Sequence, residues 1–562
     1  MGQSASSGSR DLDSSRYFSS EREMIRFYNT FAVKQLTAPE LVSFKGNIGG
    51  KALDDAVTCP TMLNLLRIST KNEILANLLF NCFRTLSNFP LIKDSYDDIT
   101  YIGLLKSCLL LHRQRCLKYV GNKAYNQVKL IFVSLAMNKS VKEVPSSPNP
   151  ATALDSKKII KDFDNVDVED LGVPAESMLQ LLTLLLRISK SCATSNCKFE
   201  SDVDTNWDSF KPYALNLLRT MNSEITNSQD AARHVITFDQ FENTVTTVSP
   251  NLLNILECLM EHLLFLDRDL VEPQATMPAT ISSKLVNDPF LAQLATILPK
   301  ELVYSKMQKL YVGRESGFSM RSFQSKAFKW MAPSILIISG MRIVNDTEYA
   351  MDKNPRYGKF LEEYPRLKDN DQQLIASHTG KRKFTFAVYI DEPWKVTNKE
   401  MFGNLKTTIV QLSPTQELFK AVRPENVYFN TVGGGIGIGC KQPVVKSSSK
   451  KYVPGNVSLT IDASLEFGVF RHVGHGGTIN PGELLAKQRE DNITFEHRFL
   501  IQDVEVWGCG GQKELEEQIK NWEWEEAEAK RRQRINLQSL NEDRALLELA
   551  GLVGQSQSGG SV

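Results

Sequence analysis

The chain is predicted to be an α+β protein, with an all-α N-terminal half and an antiparallel β-sandwich domain behind it. Three observations predict this. Up to about residue 270, apolar residues recur at the helical spacing i, i+3 and i+4. Beyond a Pro/Thr/Ser-rich stretch at 271–290, the pattern changes to short β-branched and aromatic runs bounded by Gly, Pro, Asn and Asp. From 511 the composition changes once more, to a charged helical extension and a Gly/Ser tail. The expected organisation is a flexible tail at 1–20, a helical domain at 21–270, a linker at 271–290, a β domain at 291–510 and helices with a disordered tail at 511–562. A chain of 562 residues is too long for one core, which agrees with that division.

The composition is 42% hydrophobic and 23% charged, enough apolar material to fold. Lys plus Arg is 66 and Asp plus Glu is 65. A net charge of +1 gives no general pull towards nucleic acid, so no nucleic-acid partner is expected. Nine cysteines are scattered with no C-x-x-C pair. That argues for reduced thiols rather than a disulfide framework, and for the cytoplasm.

The first residues, Met1-Gly2-Gln3-Ser4-Ala5-Ser6, fit the N-myristoylation pattern with Gly2 as acceptor. One myristoyl chain binds membranes only marginally, with K of about 10⁴ M⁻¹. No Cys precedes Cys59, and Arg10, Arg16, Arg22 and Arg26 are interleaved with acids. The leader therefore holds neither a palmitoyl site nor a polybasic patch, and the second anchor is expected to be a membrane-bound partner protein.

Helical segments are expected at 62–68, 74–86, 102–119, 128–137, 178–188, 215–221 and 252–266. Thr37-Ala38-Pro39-Glu40 sets an N-cap, an early Pro and an acidic first turn. Ile236 to Phe241 resembles the end of an EF-hand loop entering its exit helix. With Ile236 as the eighth loop position, Gln229, Ala231 and Arg233 fall at the first, third and fifth, and Gln240 at the twelfth. Calcium needs hard oxygen donors there and a bidentate Glu last. Asp162, Asp164 and Asp167 lack the required Gly and closing Glu. The half is therefore expected to be a degenerate EF-hand-like module with no metal.

In the β domain, strands are expected at 334–340, 385–390, 408–412, 427–431, 458–461, 467–470 and 499–507. The run Gly433-Gly434-Gly435-Ile436-Gly437-Ile438-Gly439 invites a phosphate-loop reading, but no helix follows it. A strand turn with closely approaching backbones is expected instead. His472, His475, Glu496 and His497 are expected to be surface polar residues rather than metal ligands. Asp391-Glu392 are adjacent on a strand and point to opposite faces. No catalytic residue and no cofactor is expected. Beyond the domain, a helix over 514–537 runs from an acidic start to a basic end. Its apolar stripe is Leu515, Ile519 and Trp522, with Trp524 beside it. A second short helix is expected between the Ser539/Glu542 capping box and Gly551.

The segment from Leu298 to Gly508 resembles the TLDc domain family. The resemblance is carried by Gly317-Phe318-Ser319, by Met331-Ala332-Pro333-Ser334, and by Phe386-Ala387-Val388-Tyr389 with Pro393-Trp394. It is carried also by the glycine run Gly433, Gly434 and Gly435, and by the closing E-V-W-G strand with Glu505, Trp507 and Gly508. An extra segment at about 344–383 departs from the family pattern and is expected to be a surface loop. The whole arrangement, from lipid signal to C-terminal helices, resembles fungal members of the family. The resemblance implies a non-enzymatic adaptor that binds the peripheral sector of the vacuolar-type proton ATPase and regulates its assembly, towards disassembly. It places the protein in the cytoplasm, peripheral on the vacuolar membrane, as a monomer. The helix over Leu515, Ile519, Trp522 and Trp524 is the expected partner ligand. The competing reading is oxidation resistance through a reactive thiol such as Cys440 or Cys509. A third is a nucleic-acid-associated factor.

Overall fold

The structure is a computed structural model that describes residues 16–91, 98–121, 125–136, 154–155, 158–160, 167–193, 203–257, 283–344, 349, 354–365, 367, 383–446, 449–482, 494–510, 513–514, 516–517, 519–520, 523–524, 527–528 and 530–531. The architecture is α+β: a helical half followed by a large antiparallel sheet flanked by helices.

The first element, β1 (Tyr17–Phe18), pairs with β2 (Leu154–Asp155) and leads into helix Glu21–Lys34. Thr37 and Glu40 form the expected box at the start of Ala38–Asn47, with the Glu40 carboxylate accepting the Thr37 N–H at 2.8 Å. The segment expected as one helix over 102–119 breaks at His112 into Tyr101–Leu111 and Arg113–Val120. The break is held from outside. Gln127 Nε2 donates to the orphaned Leu110 and Leu111 carbonyls, and Glu257 accepts the Arg113 N–H. Every residue of Tyr101–Leu111 is buried, including Lys106, whose Nζ donates to the Phe89 carbonyl at 3.4 Å.

The EF-hand-like pairing is visible. Strand β3 (Gly172–Pro174) and strand β4 (Val235–Thr237) lie antiparallel with Val173 opposite Ile236. Each enters a helix directly, Ala175–Ala193 and Phe238–Asn243. The Asp230 carboxylate is used inside its own turn, accepting the Thr226 and Asn227 N–H groups. Asp162 and Asp164 lie outside the described residues.

The C-terminal half holds β5 (Met307–Val312), β6 (Ser334–Arg342), β7 (Lys383–Ile390), β8 (Thr408–Ser413), β9 (Glu417–Lys420), β10 (Val427–Asn430), β11 (Gly435–Ile438), the ribbon β12 (Lys441–Lys446) and β13 (Ser449–Val453), then β14 (Val457–Ile461), β15 (Phe467–His472) and β16 (Phe495–Cys509). Ten of these form one sheet of order β10-β11-β14-β15-β16-β6-β7-β8-β9, with β5 also on β16. Phe386 on β7 and Phe470 on β15 are three strand spacings apart, about 14 Å in a flat sheet. Their ring centroids are 5.0 Å apart. The sheet therefore folds back on itself, and the sandwich is a single continuous sheet. Register shifts between Ile501 and Asp503 on β16, and between Thr385 and Phe386 on β7, add local bends to those strands.

One outer face is covered by helices Asp288–Ala295 and Lys300–Ser305, which bury Phe290, Leu294 and Val303 against Ile335, Ile337, Val410 and Trp507. The last part of the expected linker is therefore not a connector: Asn287 caps a helix whose apolar residues need this face. Residues 271–282 lie outside the described residues. The expected surface loop at 344–383 is also corrected over residues 354–365, while 345–348, 350–353, 366 and 368–382 lie outside the described residues. Its helix Pro355–Glu363, with Tyr364 behind it, buries Tyr357, Phe360 and Tyr364 on Tyr452, Phe467 and Val469. Their spacing of three and four residues puts all three rings on one side of a helix. Residues 355–364 cover the second outer face.

The two halves meet through a buried polar network. Gln416 Nε2 donates to Ser249 Oγ at 2.8 Å and to Thr296 Oγ1 at 3.1 Å, and its Oε1 accepts from Gln293 Nε2 at 2.8 Å. The Gln416 N–H donates to Thr220 Oγ1 at 3.0 Å, and its carbonyl accepts from that hydroxyl at 2.8 Å. Gln293 Nε2 also donates to the Leu412 carbonyl at 2.8 Å. A buried network satisfied to this degree fixes one arrangement of its parts.

Candidate functional site

The signature residues of the β domain lie in two places. Glu505, Trp507 and Gly508 sit on β16. Residues two apart share a strand face, so Glu505 and Trp507 both point to the side covered by the 288–295 and 300–305 helices. Trp507 Nε1 donates to Glu505 Oε2 at 2.9 Å, and Ser283 Oγ donates to the same oxygen at 2.8 Å. Ser283 Oγ in turn accepts the Leu285 and Val286 N–H groups. The E-V-W motif thus pins the chain as it enters the domain. Burial pushes the Glu505 carboxyl above the ordinary carboxylate range, against the pull of those two hydrogen bonds. Nothing in the sequence marks Ser283 as its partner, since 222 residues separate them. Gly508 lies under Trp330, where a Cβ would come within 2.4 Å of the indole.

Gly433, Gly434 and Gly435 lie at the β10–β11 turn, with β11 three strands from β16. Gly435 has φ +70°, and a Cβ there would meet the Ile461 carbonyl oxygen at 2.1 Å. Gly437 packs against Tyr428, with 2.3 Å left for a Cβ. The glycines serve close backbone and ring approach on a buried strand. Asp391 and Glu392 lie just past β7. Asp391 meets Lys406 at 3.2 Å, and Glu392 accepts the Gly403 N–H at 3.2 Å.

His472 and His497 depart from expectation, while His475 is exposed as expected. His472 is buried. Its Nε2 is 2.7 Å from the Pro481 carbonyl, and its ring stacks on Phe495 at 5.0 Å and 3°. His497 stacks on Phe384 at 4.7 Å. Alternation along β15 and β16 turns these rings into the aromatic core, a placement that the neighbouring glycines in sequence conceal. Glu496 is held by two arginines, Arg471 at 2.6 Å and Arg498 at 2.6 Å.

Both candidate thiols are buried. Burial pushes Cys440 up to about 11 and Cys509 up to about 12. A reactive cysteine needs an accessible, electropositive setting. From Cys440 alone, alkylation of the native chain is expected to run about 10²-fold slower than that of an unshifted thiol, and a Cys440→Ser, Cys509→Ser chain is expected to protect cells against peroxide as wild type does. Fast labelling at either position, or lost protection, would restore the thiol reading.

The C-terminal helix leaves the domain over Trp330. A Cβ at Gly510 would lie 2.6 Å from that indole and 3.0 Å from Glu514 Cβ. The described positions from 513 to 531 are helical. Ile519 is 41% and Trp524 66% exposed, and the Lys329 ammonium lies 6.0 Å from the Trp524 ring. Leu515, Trp522 and Gly2 lie outside the described residues, as do Ser539, Glu542 and Gly551. No helix among the described residues is long and apolar enough to cross a membrane.

The TLDc domain model matches residues 279–510. Over its whole length the chain is 59% identical to Restriction of telomere capping protein 5 of Lachancea thermotolerans, covering 100% of both. It is 53% identical to the protein of that name from Saccharomyces cerevisiae and 51% identical to that from Kluyveromyces lactis, again over 100% of each chain. A β domain closed by an E-V-W strand, a glycine-lined buried strand and full-length matches to three such proteins lead to one assignment: the chain belongs to the TLDc family, among the Restriction of telomere capping 5 proteins.

Proposed function

We propose that this chain is a non-enzymatic adaptor that binds the peripheral sector of the vacuolar-type proton ATPase at the vacuolar membrane and regulates its assembly, towards disassembly. The observation that carries the reading is the C-terminal helix, which presents Ile519 and Trp524 to solvent beside the TLDc domain. Exposed apolar side chains on a helix fit a groove on a partner. Stronger binding to the separated sectors than to the assembled pump would shift the pump towards disassembly. The domain contributes a rigid platform, and a lipid on Gly2 brings the chain to the membrane.

Affinity purification from vacuolar membranes tests this with wild type, Gly2→Ala and a truncation after Gly511. Pump subunits are expected with wild type, in reduced yield with Gly2→Ala, and in trace amounts with the truncation. Absence of pump subunits from all three forms would end the adaptor reading. The relatives' name suggests a telomere-related alternative. It predicts DNA binding that weakens steeply with salt, which the net charge of +1 does not favour.

A further inference from the structure

The β12–β13 ribbon stands outside the ten-stranded sheet. Its register sets Val444 opposite Lys451, Val445 opposite Lys450 and Lys446 opposite Ser449. The ribbon is anchored at its base, where Gln442 Nε2 donates to the Glu400 carbonyl at 2.9 Å, and along one face. Tyr452 is buried with Phe360 and Tyr364, at 5.6 and 5.7 Å, and Lys450 pairs with Glu363 at 2.8 Å. The other face, with Val444, Lys446, Ser449 and Lys451, is exposed. Val445 points to the opposite side from Val444, yet the two are 46% and 50% exposed. No acidic residue occurs between Glu425 and Asp462, and the span holds Lys441, Lys446, Lys450 and Lys451.

Lysines on a ribbon edge also guard against strand-to-strand association. Two adjacent exposed valines do the reverse, so protection alone does not account for the pattern. We infer that the β12–β13 ribbon is a membrane-contact element that sets its valine-bearing end into the headgroup region of an anionic lipid surface. A protein docking on one ribbon face would cover one valine. A lipid interface surrounds the end and covers both, while the lysine stems reach back to the headgroups. Each lysine near such a surface strengthens binding roughly fivefold, so Lys446 and Lys451 at that end together supply about 25-fold. The inference is independent of the pump and uses the Gly2 lipid only for starting affinity.

The test is sedimentation of the full chain, co-expressed with an N-myristoyltransferase, with vesicles of phosphatidylcholine alone or with 30% phosphatidylserine. The variants are Lys446→Gln/Lys451→Gln, Val444→Asn/Val445→Asn and Gly2→Ala, each checked for an unchanged melting temperature. The lysine variant is expected to lose about 25-fold on the phosphatidylserine vesicles and nothing on neutral ones. The valine variant is expected to lose severalfold on the phosphatidylserine vesicles, while Gly2→Ala loses binding to both. Undiminished binding of the lysine variant to the phosphatidylserine vesicles overturns the assignment. If that variant instead loses only pump association, the ribbon reads a protein surface, which also overturns it. A pump-binding failure with intact lysine dependence would count against the adaptor reading alone.

Discussion

Replacing Trp507 with Ala is expected to cost about 3–5 kcal/mol of stability, because it empties the largest side chain beneath the 288–295 and 300–305 helices. The loss has two parts. The cavity removes contacts with Ile335, Ile337 and Val303, and the missing indole N–H removes one of the two donors to buried Glu505. Trp507→Phe separates them. It keeps most of the packing and drops the donor, so its cost should be about 1–2 kcal/mol. Denaturant melts of the full chain check both. An Ala variant as stable as wild type would mean that the signature strand is not what holds the helical layer.

The second large effect runs the other way. Lys106→Met is expected to raise stability by about 3 kcal/mol near neutral pH. Burial pushes the Lys106 ammonium down to about 7, and the group facing it is the Phe89 carbonyl. The sign follows from proton counting. Below about pH 7 the folded chain must carry the buried charge, and the full penalty applies. Between about 7 and the ordinary lysine range the unfolded chain binds the extra proton, so wild-type stability climbs with pH. The variant should be more stable at pH 7, and the gap should shrink by pH 10. Thermal melts across that range decide it. A gap that is absent at pH 7, or constant to pH 10, would show that Lys106 is not held as a buried amine.

Much of the β domain was legible because its strands carry a local signal. Phe386-Ala387-Val388-Tyr389 and the run before Trp507 are β-branched or aromatic and end at Gly, Pro or Asp. Glu417–Lys420 is too short to show a period, and β12–β13 carries no apolar alternation because its faces are mostly wet. The 344–383 segment hid a legible pattern, Tyr357, Phe360 and Tyr364 at helical spacing, behind its charged neighbours. The Gln416 network was not legible at all. Its partners lie 120 to 196 residues away, and a buried Gln looks like a surface one until both sides of the interface are known. The same holds for the candidate site. The exposure of Ile519 and Trp524 follows from what fails to pack on them, which no local spacing records.

The anchoring of Tyr17 and Phe18 sets a length scale for all of this. Strand β1 fixes the chain at Arg16 and beyond, with Arg16 over the Phe27 ring at 4.6 Å. The leader from Gly2 to Arg16 can extend no further than about 50 Å. A lipid on Gly2 would therefore hold the whole molecule within one protein diameter of the bilayer. Every later contact becomes intramolecular, at an effective concentration of order millimolar. A contact of only millimolar affinity, too weak to be seen with the chain free in solution, would then be half occupied.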